Sequence, residues 1–164
     1  MTIFVKNKHT LQIDEFKFRC CIGKNGSTRY KKEGDKKTPK GTFEVENLYF
    51  RNDRLAKPLT LLKCIEIKKD MGWCDDLHFP KKYNKLLKIK KRIKHEKLKR
   101  KDNKYDFLIP IKYNFKKPVT GKGSCIFIHL TKDYKPTAGC IALKEKDFLI
   151  MLKLINKKTK IKIF

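Results

Sequence analysis

The chain has 164 residues, a length that suits one domain over 1–164 with its own hydrophobic core and no need of staples. Its 43 Lys and Arg against 17 Asp and Glu give a formal net charge of +26, which attracts polyanions in general. Only six of those cations are Arg, the residue that reads phosphates and bases in bidentate fashion, so specific nucleic-acid recognition is not expected.

The opening MTIFVKNKHTLQIDEF contains no apolar core of seven or more residues and no small-residue cleavage site. As written, it carries no secretory signal, and no run along the chain is long enough to span a membrane. Within this first third, TIFVK, TLQID and FKFRCCIG read as short strands separated by polar turns, with a further turn at Gly26-Ser27. The polar stretch from Tyr30 to Gly41 reads as a loop feeding a strand from Thr42 to Leu48, its Pro39 and Gly41 suiting a tight turn.

Between Leu55 and Lys104 only LLKCIEIKK looks like a strand. The segment MGWCDDLHFPKKYN reads as turn-like, and the Lys-rich stretch after it places Leu86, Leu87, Ile89, Ile93 and Leu98 on neither period. Long covering loops, with room for a short helix, are expected there. One Tyr in the basic span, Tyr83, is thin support for a base-stacking surface. His95-Glu96 is a poor metal pair, because adjacent residues share neither a helix face nor a strand face.

The last third is more regular. YDFLIPIKY, SCIFIHL and CIAL read as strands, KEKDFLIMLKLINKK places Phe148, Leu149, Leu152 and Ile155 on one helical stripe, and KIKIF reads as a closing strand. The expected class is therefore mainly β with one helix near the C-terminus.

Six cysteines, at 20, 21, 64, 74, 125 and 140, form no Cys-x-x-Cys pair, so no zinc site is expected and no cofactor is called for. Cys125 lies in an apolar run and reads as a small core hydrophobe. Cys140 differs: Thr137-Ala138-Gly139 is a small-residue approach that lets a backbone come close to a substrate, and His129 ends the preceding strand. A cysteine nucleophile needs a base and donors for the oxyanion that forms when it attacks a carbonyl. His129 and the amides about Gly139 could supply both, although a Cys or His on an apolar strand is more often packing.

The run from His129 through PTAGCIAL resembles the active-site signature of the L,D-transpeptidase (YkuD-type) catalytic domain: a His, a loop, then Ser/Thr-x-Gly-Cys and an apolar residue. EGDKKTPKGTF, GWCDD, the pairs YN at 83–84, HE at 95–96 and YD at 105–106, and GSCIFIHL follow the order seen in a compact bacterial branch of that family, over about Cys20 to Phe164. The resemblance implies a β-sandwich-like domain under long loops. It makes Cys140 the nucleophile, His129 the base, oriented by a backbone carbonyl, and Gly139 with the Cys140 amide the oxyanion-stabilising backbone. Thr137 is implied to shape the loop beside the substrate. On the same ground a His-activated Cys140 is expected to have a depressed thiol pKa.

The implied reaction is acyl transfer on peptidoglycan stem peptides through a thioester, with an amine acceptor giving a cross-link and water giving a carboxypeptidase or endopeptidase. A basic polyanion-binding β-domain is the non-enzymatic alternative. Trp73, Asp75 and Asp76 are candidates for a substrate-facing wall, one of the acids taking an ammonium group, and Tyr83, Asn84 and Asn114 for further polar contacts. Each has a plainer reading as anchor, solvated acid or turn. The turn from Thr38 to Gly41 resembles the family's TPxG motif and is read as architectural. Ala142 departs from the pattern of many relatives, which carry Arg or Asn there. A monomer is expected. Its place in the cell is in tension, since no leader is read while the family usually acts in the envelope.

Overall fold

A computed structural model describes residues 1–164. In chain order its strands are β1 (Thr2–Lys6), β2 (Thr10–Ile13), β3 (Phe16–Arg19), β4 (Ser27–Thr28), β5 (Thr38–Pro39), β6 (Gly41–Glu44), β7 (Leu48–Phe50) and β8 (Cys64–Glu66). They continue as β9 (Met71–Cys74), β10 (Leu86–Lys88), β11 (His95–Lys97), β12 (Phe107–Pro110), β13 (Phe127–Leu130) and β14 (Ile141–Leu143). The helix α1 (Glu145–Leu154) and β15 (Lys160–Ile163) close the chain.

Two five-stranded sheets form the body, one ordered β3-β2-β1-β15-β6 and the other β14-β13-β12-β7-β8. The expected strand from Thr42 to Leu48 is divided: Gly41–Glu44 joins the first sheet and Leu48–Phe50 the second, so the chain changes sheet at Val45. Val45 is itself buried and bridges Ile111.

Between these sheets lies the main core. Strand alternation sends Ile3, Val5, Leu11 and Ile13 from one side and Phe107, Ile109, Ile128, Leu130, Ile141 and Leu143 from the other into one cluster. Helix α1 adds Phe148, Met151 and Leu152, with Phe148 stacked on Phe107 at 5.8 Å between ring centroids. Leu149, expected on the same stripe, is only partly buried at its margin.

The opposite face of the second sheet carries Tyr49, Leu108, Phe127 and Cys140, which join Ile67, Trp73, Leu98 and Tyr105 in a second, smaller cluster. Its cover comes from the loop-rich segment expected between Leu55 and Lys104, but the ordered part of that cover is not a short helix. It is a three-stranded antiparallel sheet, β10-β9-β11, with Trp73 opposite both Leu86 and Glu96. The apolar residues of this region fit no single period because the strands are only three or four residues long and turns separate them. Trp73 and Cys74 accordingly lie in a buried strand, not in a turn.

Candidate active site

Register brings the two signature residues to one face. β13 and β14 run parallel with His129 beside Ala142, and Ile128 beside Ile141. Since Ile128, Leu130, Ile141 and Leu143 point into the main core, alternation turns His129, Ala142 and the preceding Cys140 to the other face, under the three-stranded cover. Ala142, fully buried, stands beside His129, where its small side chain leaves room.

Each residue has defined partners. The Cys140 thiol donates to Cys125 O at 3.1 Å, and Phe127 N–H donates to Cys140 Sγ at 3.4 Å. Cys125 has a φ of 54°, a left-handed conformation uncommon outside glycine. His129 Nδ1 lies 2.8 Å from Leu130 O, a carbonyl that can only accept, so Nδ1 carries the proton and Nε2 is left as the basic nitrogen. The Tyr105 ring stands edge-on to the imidazole at 5.3 Å, and the Arg100 guanidinium lies 5.0 Å from the Tyr105 ring centroid.

Burial sets the protonation state. It pushes the Cys140 thiol up to about 12, outweighing the opposing Phe127 N–H. It also pulls His129 down to about 4, the Leu130 carbonyl opposing and the Lys104 and Arg100 charges adding to the fall. The expected depressed thiol is therefore replaced by a neutral thiol beside a neutral imidazole. No hydrogen bond joins the two; the resting S–H is held by Cys125 O instead.

The loop before Cys140 is pinned by hydroxyls. Thr137 Oγ1 accepts Gly139 N–H at 3.1 Å and donates to Cys140 O at 2.6 Å. Gly139 has a φ of 140°, and a Cβ there would stand 2.9 Å from Lys37 O, so only glycine suits both the conformation and the close approach.

These groups line a cleft of about 390 Å³, whose wall includes Cys140, His129, Thr137, Ala138, Ala142, Tyr105 and Asp75. It also includes Glu33, Ser124, Glu96, Arg100, Lys36, Lys104 and Cys125. Cys125, read from the sequence as core, is only half-buried and forms part of this wall. Asp75 Oδ2 pairs with Lys94 at 3.3 Å, while its buried Oδ1 has no partner.

The remaining candidates are not brought to the cleft, because other groups of the protein use their polar atoms. Trp73 Nε1 donates to Asn84 Oδ1 at 2.9 Å, and that oxygen also accepts Cys125 N–H at 3.1 Å. Asn84 Nδ2 donates to the carbonyls of Tyr113 and Asn114. The Asp76 carboxylate accepts His78 N–H and Lys94 N–H, and these two amides hold it below the usual carboxylate range. Tyr83, fully buried, donates to Glu33 and accepts Gly123 N–H; Asn114 closes the loop to Val119 and Gly123. These residues build the wall from behind.

The sequence alone assigns no role to Glu33, Ser124, Tyr105, Arg100 or Lys104, although Glu33, Ser124 and Tyr105 stand in the motifs that carry the family resemblance. Ser124 donates to Glu33 at 2.7 Å across 91 residues of chain, a contact with no local signal. His95 lies with Glu96 in β11, its Nδ1 2.6 Å from Ile93 O, and Glu96 accepts Arg100 at 2.9 Å. No group of three or more His, Cys, Asp or Glu side chains is arranged to hold a metal. No helix is long and apolar enough to cross a membrane.

Two large β-sheets, a C-terminal helix and a cleft lined by His129 of β13 and by Cys140, just before the parallel β14, make up a mainly-β domain. The family model for the L,D-transpeptidase catalytic domain (YkuD) matches residues 1–163, and the chain belongs to that family. Its members are cysteine-dependent enzymes of peptidoglycan. Searches of curated proteins and of solved structures gave no match.

Proposed function

We propose that the protein is an L,D-transpeptidase that works through a thioester on Cys140, acting on the stem peptides of peptidoglycan. The observation that carries this reading is Cys140 and His129 on one sheet face, at one cleft, with His129 Nδ1 held by Leu130 O so that Nε2 is free to accept a proton.

In the forward step Cys140 Sγ attacks the carbonyl carbon of the third, L-centred residue, and the thiol proton leaves Cys125 O for His129 Nε2. The S–C bond forms as the carbonyl oxygen takes the charge. Cys140 N–H, which has no partner within the protein, receives that oxyanion. Collapse breaks the C–N bond to D-Ala, whose nitrogen takes the proton from Nε2. An amine then attacks the thioester, Nε2 accepting its proton; the new amide C–N bond forms as the C–S bond breaks, and Sγ takes the proton back from Nε2 to regenerate the thiol.

The pair starts neutral, so the proton moves during attack and no resting thiolate is needed. Around it the cleft offers both signs of charge. The unpartnered Asp75 Oδ1 suits an ammonium group such as that of diaminopimelate, and Lys36 and Lys104 suit the carboxylates of a stem peptide.

Incubation with a carbapenem, an acyl donor that this family accepts, tests the reading by intact mass. The wild type is expected to gain one adduct and Cys140→Ala none. A wild type that stays unmodified, or an adduct that survives Cys140→Ala, refutes it.

A further inference from the structure

Thr38 opens β5, in a motif that reads from the sequence as an architectural turn, yet its hydroxyl holds the peptide unit on which the oxyanion depends. The side chain is fully buried; Oγ1 accepts Gly23 N–H at 2.9 Å and donates to Gly139 O at 2.8 Å. Gly139 O and Cys140 N–H belong to one peptide unit. No peptide bond in the chain is cis, so the carbonyl and the amide of that unit point in opposite directions. Gripping the oxygen therefore aims the Cys140 N–H away from Thr38.

The neighbouring groups are accounted for. Gly139 N–H and Cys140 O are both held by Thr137 Oγ1, and Gly139 O is held by Thr38. Of the four backbone polar groups of Gly139 and Cys140, the Cys140 N–H alone has no partner in the protein. Two glycines allow the approach: a Cβ on Gly23 would stand 2.5 Å from Lys36 O, and one on Gly139 2.9 Å from Lys37 O. The chain at Lys36 and Lys37, leading into β5, thus lies close to both backbones, and the Thr38 hydroxyl spans them.

We infer that Thr38 is a positioning residue for acyl transfer, acting through the Gly139 carbonyl to hold the Cys140 amide as the oxyanion donor. The inference rests on Cys140 being the nucleophile. A hydroxyl that merely pinned the fold would affect every reaction of Cys140 alike. A hydroxyl that aims the amide affects only reactions that generate an oxyanion.

Two reactions separate these cases. Iodoacetamide alkylates sulfur at a saturated carbon and forms no oxyanion, whereas a carbapenem acylates through one. In Thr38→Val, which keeps the shape and loses the hydroxyl, acylation is expected to fall about a hundred-fold, the scale of losing one oxyanion donor. Alkylation of Cys140, read by peptide mass, is expected to stay within about two-fold, since no oxyanion forms. Thr38→Ser, which keeps the hydroxyl, is expected to retain most of the acylation rate. Equal acylation of Thr38→Val and the wild type overturns the inference, as does a parallel loss of both reactions in a folded variant. If the valine variant does not fold, Thr38→Ala carries the same comparison. A wild type that is alkylated but never acylated overturns the nucleophile reading itself, and this inference with it.

Discussion

Burial decides the character of Cys140 and His129 more than their proximity does. The thiol is pushed up to about 12 and the imidazole down to about 4, so at neutral pH the folded protein holds both uncharged. The alkylation rate of Cys140 is therefore expected to keep rising through pH 9 and 10, beyond the ordinary thiol midpoint of ~8.5. A plateau already reached at pH 7 would instead reveal a resting thiolate–imidazolium pair. His129 carries a second, separate consequence for stability. Its folded pKa lies below its unfolded value near ~6.5, so the unfolded chain binds the proton first. This contribution to stability is present above that pH and is lost as pH falls toward about 4. The two signature residues were legible in the sequence because they lie eleven positions apart in a contiguous motif. Thr38 and Ser124 were not, since their partners Gly139 and Glu33 are 101 and 91 residues away.

Elements followed the two-residue period wherever one face of a strand met the main core. β1, β12, β13, β14 and β15 all fall within segments that read as strands in the sequence, with plain alternation in β15 and near-continuous apolar runs in β12, β13 and β14. The same period has a second product here, because the residues it turns away from the main core include His129 and Cys140, which line the cleft, and Phe127, which packs in the second cluster. The cover resisted reading. β9, β10 and β11 are short, and their pairing joins Trp73 to Leu86 and Glu96 across intervening polar turns. Helix α1 was legible from its stripe, and its energetic weight rests on Phe148, fully buried against Phe107. Phe148→Ala is expected to cost about 3–5 kcal/mol by urea unfolding, through lost transfer energy and the cavity left behind. Ile150→Ala, on the exposed side of the same helix, is expected to stay within about 0.5 kcal/mol. Similar losses for both would mean that α1 is not docked as described.

Across the whole molecule the charge of +26 is carried mainly by lysine, much of it at exposed positions. Salt screens such a field within about 10 Å at 0.1 M, so it favours loose association with polyanions and gives little sequence discrimination. Retention on heparin or DNA is expected at low salt and is expected to vanish by ~0.2 M, independently of Cys140. Retention persisting above that concentration would point to a built nucleic-acid site. At the cleft the balance is different: Glu33, Asp75 and Glu96 stand among Lys36, Arg100 and Lys104, a mixed wall suited to a ligand bearing both signs.

The sequence by itself determined the class, the helix, most strands of the two large sheets and the identity of the cysteine and histidine that meet, because periodicity and a contiguous motif are local properties. Only the tertiary structure decided the protonation of that pair, the three-stranded cover, the wall residues Glu33 and Ser124, and the hydroxyl of Thr38 behind the Cys140 amide. Those features depend on burial and on contacts between segments scores of residues apart, and neither leaves a pattern in neighbouring letters.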